Sequence, residues 1–131
     1  MPAETHLAAI LCSLLLNGEA EVRHTYTVAG DQRHIRVDCE TPTHVYEVGF
    51  DGKRSSFDSL HQAIFAAHLT GKLPAIVIID TDGQVEPVEY QVRTVAQATG
   101  VCFLSTDKDF LIRWQMTAPF RQDQRAPLFG Y

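Results

Sequence analysis

From Ala75 to Asp80 the chain reads Ala-Ile-Val-Ile-Ile-Asp, a continuous apolar run led in by Pro74 and closed by the turn Thr81-Asp82-Gly83. A strand without a polar face must be covered on both sides, the situation of a strand inside a sheet flanked by helices. The neighbouring segments can supply that cover. Ser55 and Ser56, followed by Asp58 and Ser59, resemble a helix start, and a helix from about Phe57 to Thr70 is closed by Gly71. A second spans roughly Glu86 to Thr99, with Val88, Val92, Val95 and Thr99 on one side and Gly100 as its cap. Val101 to Leu104 then reads as a short strand and Asp107 to Met116 as a last helix.

The first half has a different rhythm. Residues 4 to 16 form an opening helix, with Leu7, Ile10, Leu11 and Leu14 spaced to share one face and Asn17-Gly18 as its stop. Three strand-like runs follow: Glu21 to Ala29, ending at a Gly30-Asp31 turn; His34 to Cys39; and Val45 to Phe50, after a Thr41-Pro42-Thr43 turn. Such short connections predict an antiparallel meander. The whole order is αβββαβαβα, which implies an α/β fold, a three-layer sandwich with a mixed β-sheet and helices on its faces. One domain over residues 1–118 and a tail over 119–131 account for the chain.

Composition narrows the function. In 131 residues, 45% are hydrophobic and 21% charged, which excludes a disordered or coiled-coil chain. A net charge of -5 argues against a general polyanion binder, leaving nucleic acid only to local basic clusters. Cys12, Cys39 and Cys102 are odd in number and form no CxxC pair, so neither a disulfide framework nor a zinc knuckle is expected, and the compartment reads as reducing cytoplasm. Cys39 is expected to be a buried hydrophobe. The apolar stretch Leu7 to Leu16 is ten residues long, too short to span a bilayer, and no Lys or Arg precedes it. No membrane partner is expected.

The segment HIRVDCETPTHVYEVGFDGKRSSFDSLHQ, residues 34–62, concentrates the chemistry. Asp38 lies on one strand and Glu47 on the next; a turn centred near Pro42 sets them opposite one another across the pair. Two carboxylates held together repel unless a cation or a shared proton relieves them, and a divalent metal with oxygen ligands is the usual functional solution. The alternative is that each points outward or pairs with Arg36, Lys53 or Arg54.

An opening helix, a meander with Asp on one strand and Glu on the next, a helix carrying Gln and then a buried strand resemble the PD-(D/E)xK, restriction-endonuclease-like nuclease superfamily over about residues 4–80. The resemblance implies that Asp38 and Glu47 hold Mg²⁺ and that Gln62 matches the glutamine of the following helix. Glu4, or Glu19 or Glu21 in its place, would add the acidic residue contributed near the first helix. It implies hydrolysis of DNA phosphodiesters. The motif's lysine position, two residues after Glu47, holds Gly49, and no Pro precedes Asp38. Lys53 would then supply the missing cation from the loop, with Arg54 as a second candidate; otherwise the chain is an inactive relative serving as a binding or assembly module. The intervals HIRVDCETPTHVYEVGFD, KRSSFDSLHQAIFAAHLTGK, IIDTDG and FLIRWQM also resemble a family of small bacterial proteins of alphaproteobacterial type, which implies a compartment and no activity.

Other features read more plainly. Asp80-Thr81-Asp82-Gly83 is expected to be a polar turn that needs Gly, although it could bound a groove. The six histidines show no HExxH spacing and are expected at the surface or half-buried, with His44 beside the Asp38/Glu47 pair. Lys53, Arg54, Arg33 and Arg36 make the one basic footprint suited to DNA, and Lys53-Arg54-Ser55-Ser56 leads into a helix N-terminus, where an anion is favoured. The tail, polar over Arg121 to Arg125 and ending in Leu128, Phe129 and Tyr131, is a candidate homodimer contact.

Overall fold

A computed structural model describes residues 4–14, 18–117 and 119–120, with the backbone alone for residues 4 and 5. The tail expected beyond Pro119 lies, except for residues 119–120, outside the described residues. Along the chain come α1 (Glu4–Leu14), β1 (Glu19–Val28), β2 (Asp31–Glu40), β3 (His44–Phe50), α2 (Ser55–Thr70), β4 (Leu73–Asp80), α3 (Pro87–Thr99), β5 (Cys102–Asp107) and α4 (Lys108–Met116). The five strands form one mixed sheet in the order β1-β2-β3-β4-β5; β1, β2 and β3 are antiparallel neighbours, and β3, β4 and β5 run parallel.

Ala75 to Ile79 are each at most 2% exposed, as a strand covered on both faces must be. Val77 and Ile79, with Val48 and Phe50 of β3, pack against Leu7, Ile10 and Leu11 of α1 and Leu111 of α4. Ile76 and Ile78 face the other way, onto Leu60 of α2 and Val92 and Ala96 of α3. Helices thus cover both faces. Each of these Ile or Val side chains contributes about 1.5–3 kcal/mol relative to exposure. Among the described residues no helix is long and apolar enough to cross a membrane.

Two element ends differ from the sequence expectation for local reasons. The first hairpin turns on Ala29 and Gly30, at φ 51° and 81°, with Val28 paired to Asp31. Positive φ at both central residues matches the twist of the strands, so the hairpin closes in two residues and β2 begins at Asp31 rather than His34. At the start of α2, Arg54 occupies the cap position and no side chain caps the helix. Ser56 is used elsewhere: its buried hydroxyl accepts from the Phe50 N–H (3.0 Å) and donates to the Phe50 carbonyl (2.8 Å), tying α2 to the end of β3.

The cysteine expectation is corrected. Cys12 of α1 and Cys39 of β2 are disulfide-bonded, and Cys102 is the free, exposed thiol among the described residues. Twenty-seven residues separate the pair, so no local spacing signals it; only the packing of α1 on β2 does. Gly18 passes against the bridge, where a Cβ would lie 2.7 Å from the Cys12 carbonyl oxygen and 2.9 Å from Cys39 Sγ. The reducing-compartment reading rested on unpaired cysteines and loses that support. A loop of this length predicts that reduction lowers unfolding free energy by about 3–4 kcal/mol, measurable by urea unfolding with and without reductant. Protein unfolded without reductant should show one reactive thiol; three would remove the bridge.

Candidate functional site

The antiparallel ladder between β2 and β3 pairs Glu40 with Val45 and Cys39 with Tyr46. At the next position the backbones give way to side chains. The Asp38 N–H donates to Glu47 Oε2 at 2.9 Å, and the Val48 N–H donates to Asp38 Oδ2 at 2.8 Å. On the other side of β2 the pairing with β1 also skips Asp38, opposite Glu21, whose φ is 55°. The sheet therefore loosens on both sides of Asp38, leaving an open cleft of about 660 Å³.

Asp38, Glu47, Ser59 and Gln62 line this cleft together with Arg23 and Arg36. Glu47 is 5% exposed. Burial, then the charge of Asp38, pushes its carboxyl up to about 8, although the Asp38 N–H works the other way. Asp38 is also raised, by burial first and by the charge of Glu21, against the Val48 N–H and the Arg36 guanidinium. Ser59, one helical turn before Gln62, donates to the Val48 carbonyl at 3.3 Å and fixes that face of α2 over the strand opening.

The expected residues separate into those the cleft gathers and those it does not. Asp38, Glu47 and Gln62 come together. Lys53 does not line the cleft; its ammonium lies 5.8 Å from the ring of Phe50, whose side chain packs on the α1/α4 face of the sheet. Arg54 sits at the start of α2 and Arg33 opposite Tyr26 on the hairpin, neither of them in the cleft lining. His44 is bound to the Thr43 hydroxyl and leans on Tyr46 rather than lining the cleft. Glu4 begins α1, and its side chain lies outside the described residues. At Gly49 a Cβ would lie 2.5 Å from Ser56 Oγ and 3.1 Å from Ile78 Cδ1, so the motif lysine has no room there. Arg23, which faces Arg36 across β1 and β2, is the cleft residue that sequence reasoning missed; the extent of the first hairpin was the signal.

A second acidic group forms at the carboxyl ends of the parallel strands. Carboxylate oxygens of Asp51, Asp80 and Asp82 lie within 4.8 Å of one another and could hold a metal ion. Asp51, just past β3 and 2% exposed, accepts from the Thr81 N–H and hydroxyl. Asp80 Oδ1 accepts from the N–H groups of Asp82 and Gly83, and Asp82 Oδ1 from that of Gln84. The Gln84 N–H, followed by a hydrogen bond from Glu86, holds Asp82 below its ordinary range, and that bond raises Glu86. Glu89 is raised by burial, then by the charges of Asp80 and Asp51. The loop is thus more than a turn, and Asp51 is the member that sequence reasoning missed. The available signal was an Asp directly after each of two apolar strands, in Gly-Phe-Asp and Ile-Ile-Asp.

No family model, curated protein or solved structure matches the chain.

The raised Glu47 has a measurable consequence. The folded chain holds its proton more tightly than the unfolded chain, so this group favours folding fully at low pH. That contribution is lost as pH rises from about 4.5 to about 8. Glu47→Gln keeps the shape without the ionisation and should flatten this slope, leaving the metal-free variant more stable than the parent above pH 8. Urea unfolding in chelator across that range checks it; parallel curves for parent and variant would show that the carboxyl is not held protonated.

Proposed function

We propose that the chain is a nuclease-like protein of restriction-endonuclease-like architecture that hydrolyses DNA phosphodiesters with Mg²⁺ held by Asp38 and Glu47. The observation that carries this reading is the convergence of Asp38, Glu47 and Gln62 in one cleft, from two meander strands and the helix that follows them. The bound ion would lower the pKa of a water and neutralise charge developing on the phosphate. Asp38 and Glu47 orient their free oxygens from positions fixed by each other's strands. Gln62 supplies a neutral amide at the cleft wall, suited to holding a water or a phosphate oxygen by hydrogen bonds. Arg23 and Arg36 provide the positive charge that a phosphate needs, in place of a lysine two residues after Glu47. Lys53, Arg54 and Arg33 extend the basic surface along a duplex. A DNA substrate favours the cytoplasm, where a bridge between Cys12 and Cys39, at most 3% exposed, is shielded from thiol attack.

The close fit of Gly49 against Ser56 favours a second reading, an inactive relative that binds DNA without cutting it. Calorimetry with Mg²⁺ and Mn²⁺ on the parent and Asp38→Asn, followed by plasmid nicking, separates the two. The proposal expects Asp38→Asn to lose one bound equivalent and all nicking, and Gln62→Ala to slow nicking while retaining the ion. Metal and DNA binding without nicking would establish the inactive relative. If Asp38→Asn leaves metal binding unchanged at millimolar ion, both readings of the cleft fail.

A further inference from the structure

The parallel strands β3, β4 and β5 end on one edge of the sheet, the edge where open α/β sheets place their ligands. Asp51 follows β3, Asp80 ends β4, and Asp107 ends β5 in register with Asp80. Roughly 13 Å of extended chain separates Asp51 from Glu47, so this edge is a different place from the Asp38/Glu47 cleft.

Three carboxylates within 4.8 Å of one another are common on acidic surfaces and would mean little alone. Glu89 makes the difference. It lies in the first turn of α3, is 6% exposed, and its Oε1 is buried with no hydrogen-bond partner among the described residues. Its nearest charges are Asp80 and Asp51, then Arg93 and Asp82. A buried oxygen left unpartnered loses its hydration with nothing in return, and three negative neighbours make that loss larger. Backbone N–H groups already hold one oxygen each of Asp80 and Asp82, which fixes the loop so that their remaining oxygens can serve a ligand. Lys108 and Arg113 share an opening of about 420 Å³ with Asp80, Asp82 and Asp107, yet neither bonds Glu89 Oε1. A cation among the four carboxylates is the partner that this arrangement lacks.

We infer that Asp51, Asp80, Asp82 and Glu89 form a binding site for one divalent cation, separate from the Asp38/Glu47 cleft. The donors are all oxygen, which selects a hard ion. Four protein carboxylates exceed the one or two that Mg²⁺ commonly takes and suit the larger, less regular shell of Ca²⁺. Ca²⁺ therefore binds more tightly than Mg²⁺.

The test starts from chelator-treated Asp38→Asn/Glu47→Gln protein, which removes the cleft as a source of binding. Calorimetry should show one equivalent of Ca²⁺ bound, and thermal unfolding should show a rise in Tm on adding it. Asp82→Asn in the same background keeps an acceptor for the Gln84 N–H and so preserves the loop. It should abolish both the heat and the Ca²⁺-induced shift while raising the metal-free Tm, because one like charge is gone. The same Asp82→Asn change in the parent chain should remove one bound equivalent whether or not the cleft binds metal. Absence of Ca²⁺ binding at millimolar ion in the double variant, or binding that survives Asp82→Asn in both backgrounds, overturns the inference.

Discussion

Burial of β4 on both faces is the constraint from which the remaining architecture follows. Its side chains alternate between the α1/α4 layer and the α2/α3 layer with hardly any exposure, so neither layer can be removed without uncovering a row of Ile and Val. Parallel pairing with β3 and β5 requires helical crossovers, and α2 and α3 fill that need while covering one face. The same pairing brings three strand ends, each with an Asp, to one edge. An apolar requirement in the middle of the sheet therefore produces an acidic concentration at its end.

The meander side of the sheet obeys a different balance. Where β2 leaves the ladder at Asp38, two backbone N–H groups would be orphaned, and the Asp38 and Glu47 carboxylates accept from them. That exchange satisfies the backbone, but it holds two acids in a desolvated space where neither ionises at its ordinary pH. A purely structural bridge of this kind would be served equally by Asn and Gln, whose carbonyl oxygens accept without adding repulsion. Charge-capable residues at both positions, with Gln62 and two arginines around the same opening, are what a cation and an anionic ligand would use together.

Much of this was legible in the chain. Strict apolar continuity over Ala75–Ile79 and the 3.6-residue period of α1 and α3 place helices and strands without reference to contacts. The short Thr41-Pro42-Thr43 connection is enough to set Asp38 against Glu47. What escaped depends on contacts that local pattern does not encode. Cys12 meets Cys39 only because α1 lies on β2, and Asp51 meets Asp82 only because β3 and β4 are neighbours in parallel. Ser56 looked like a cap residue by type and position, yet the Phe50 backbone claims its hydroxyl inside the protein. Lys53 was drawn to the carboxylates by charge alone; chain direction after Phe50 takes it to the other face.

Gly49 and the Arg23–Arg36 pair are connected by the same packing. Ser56 can reach the end of β3 only if position 49 has no side chain, so anchoring α2 excludes a lysine from the strand position nearest Glu47. Positive charge enters the cleft instead from the hairpin, where Arg23 and Arg36 stand directly opposite one another. Like charges in that position destabilise a strand pair, by a few tenths to about 1 kcal/mol. They are tolerable here because Asp38 and Glu21 adjoin them: Arg36 lowers the cost of ionising Asp38 and lies 3.9 Å from Glu21. The tight helix anchor on one side of β3 and the loosened, arginine-bearing hairpin on the other are thus two parts of one charge arrangement around Glu47.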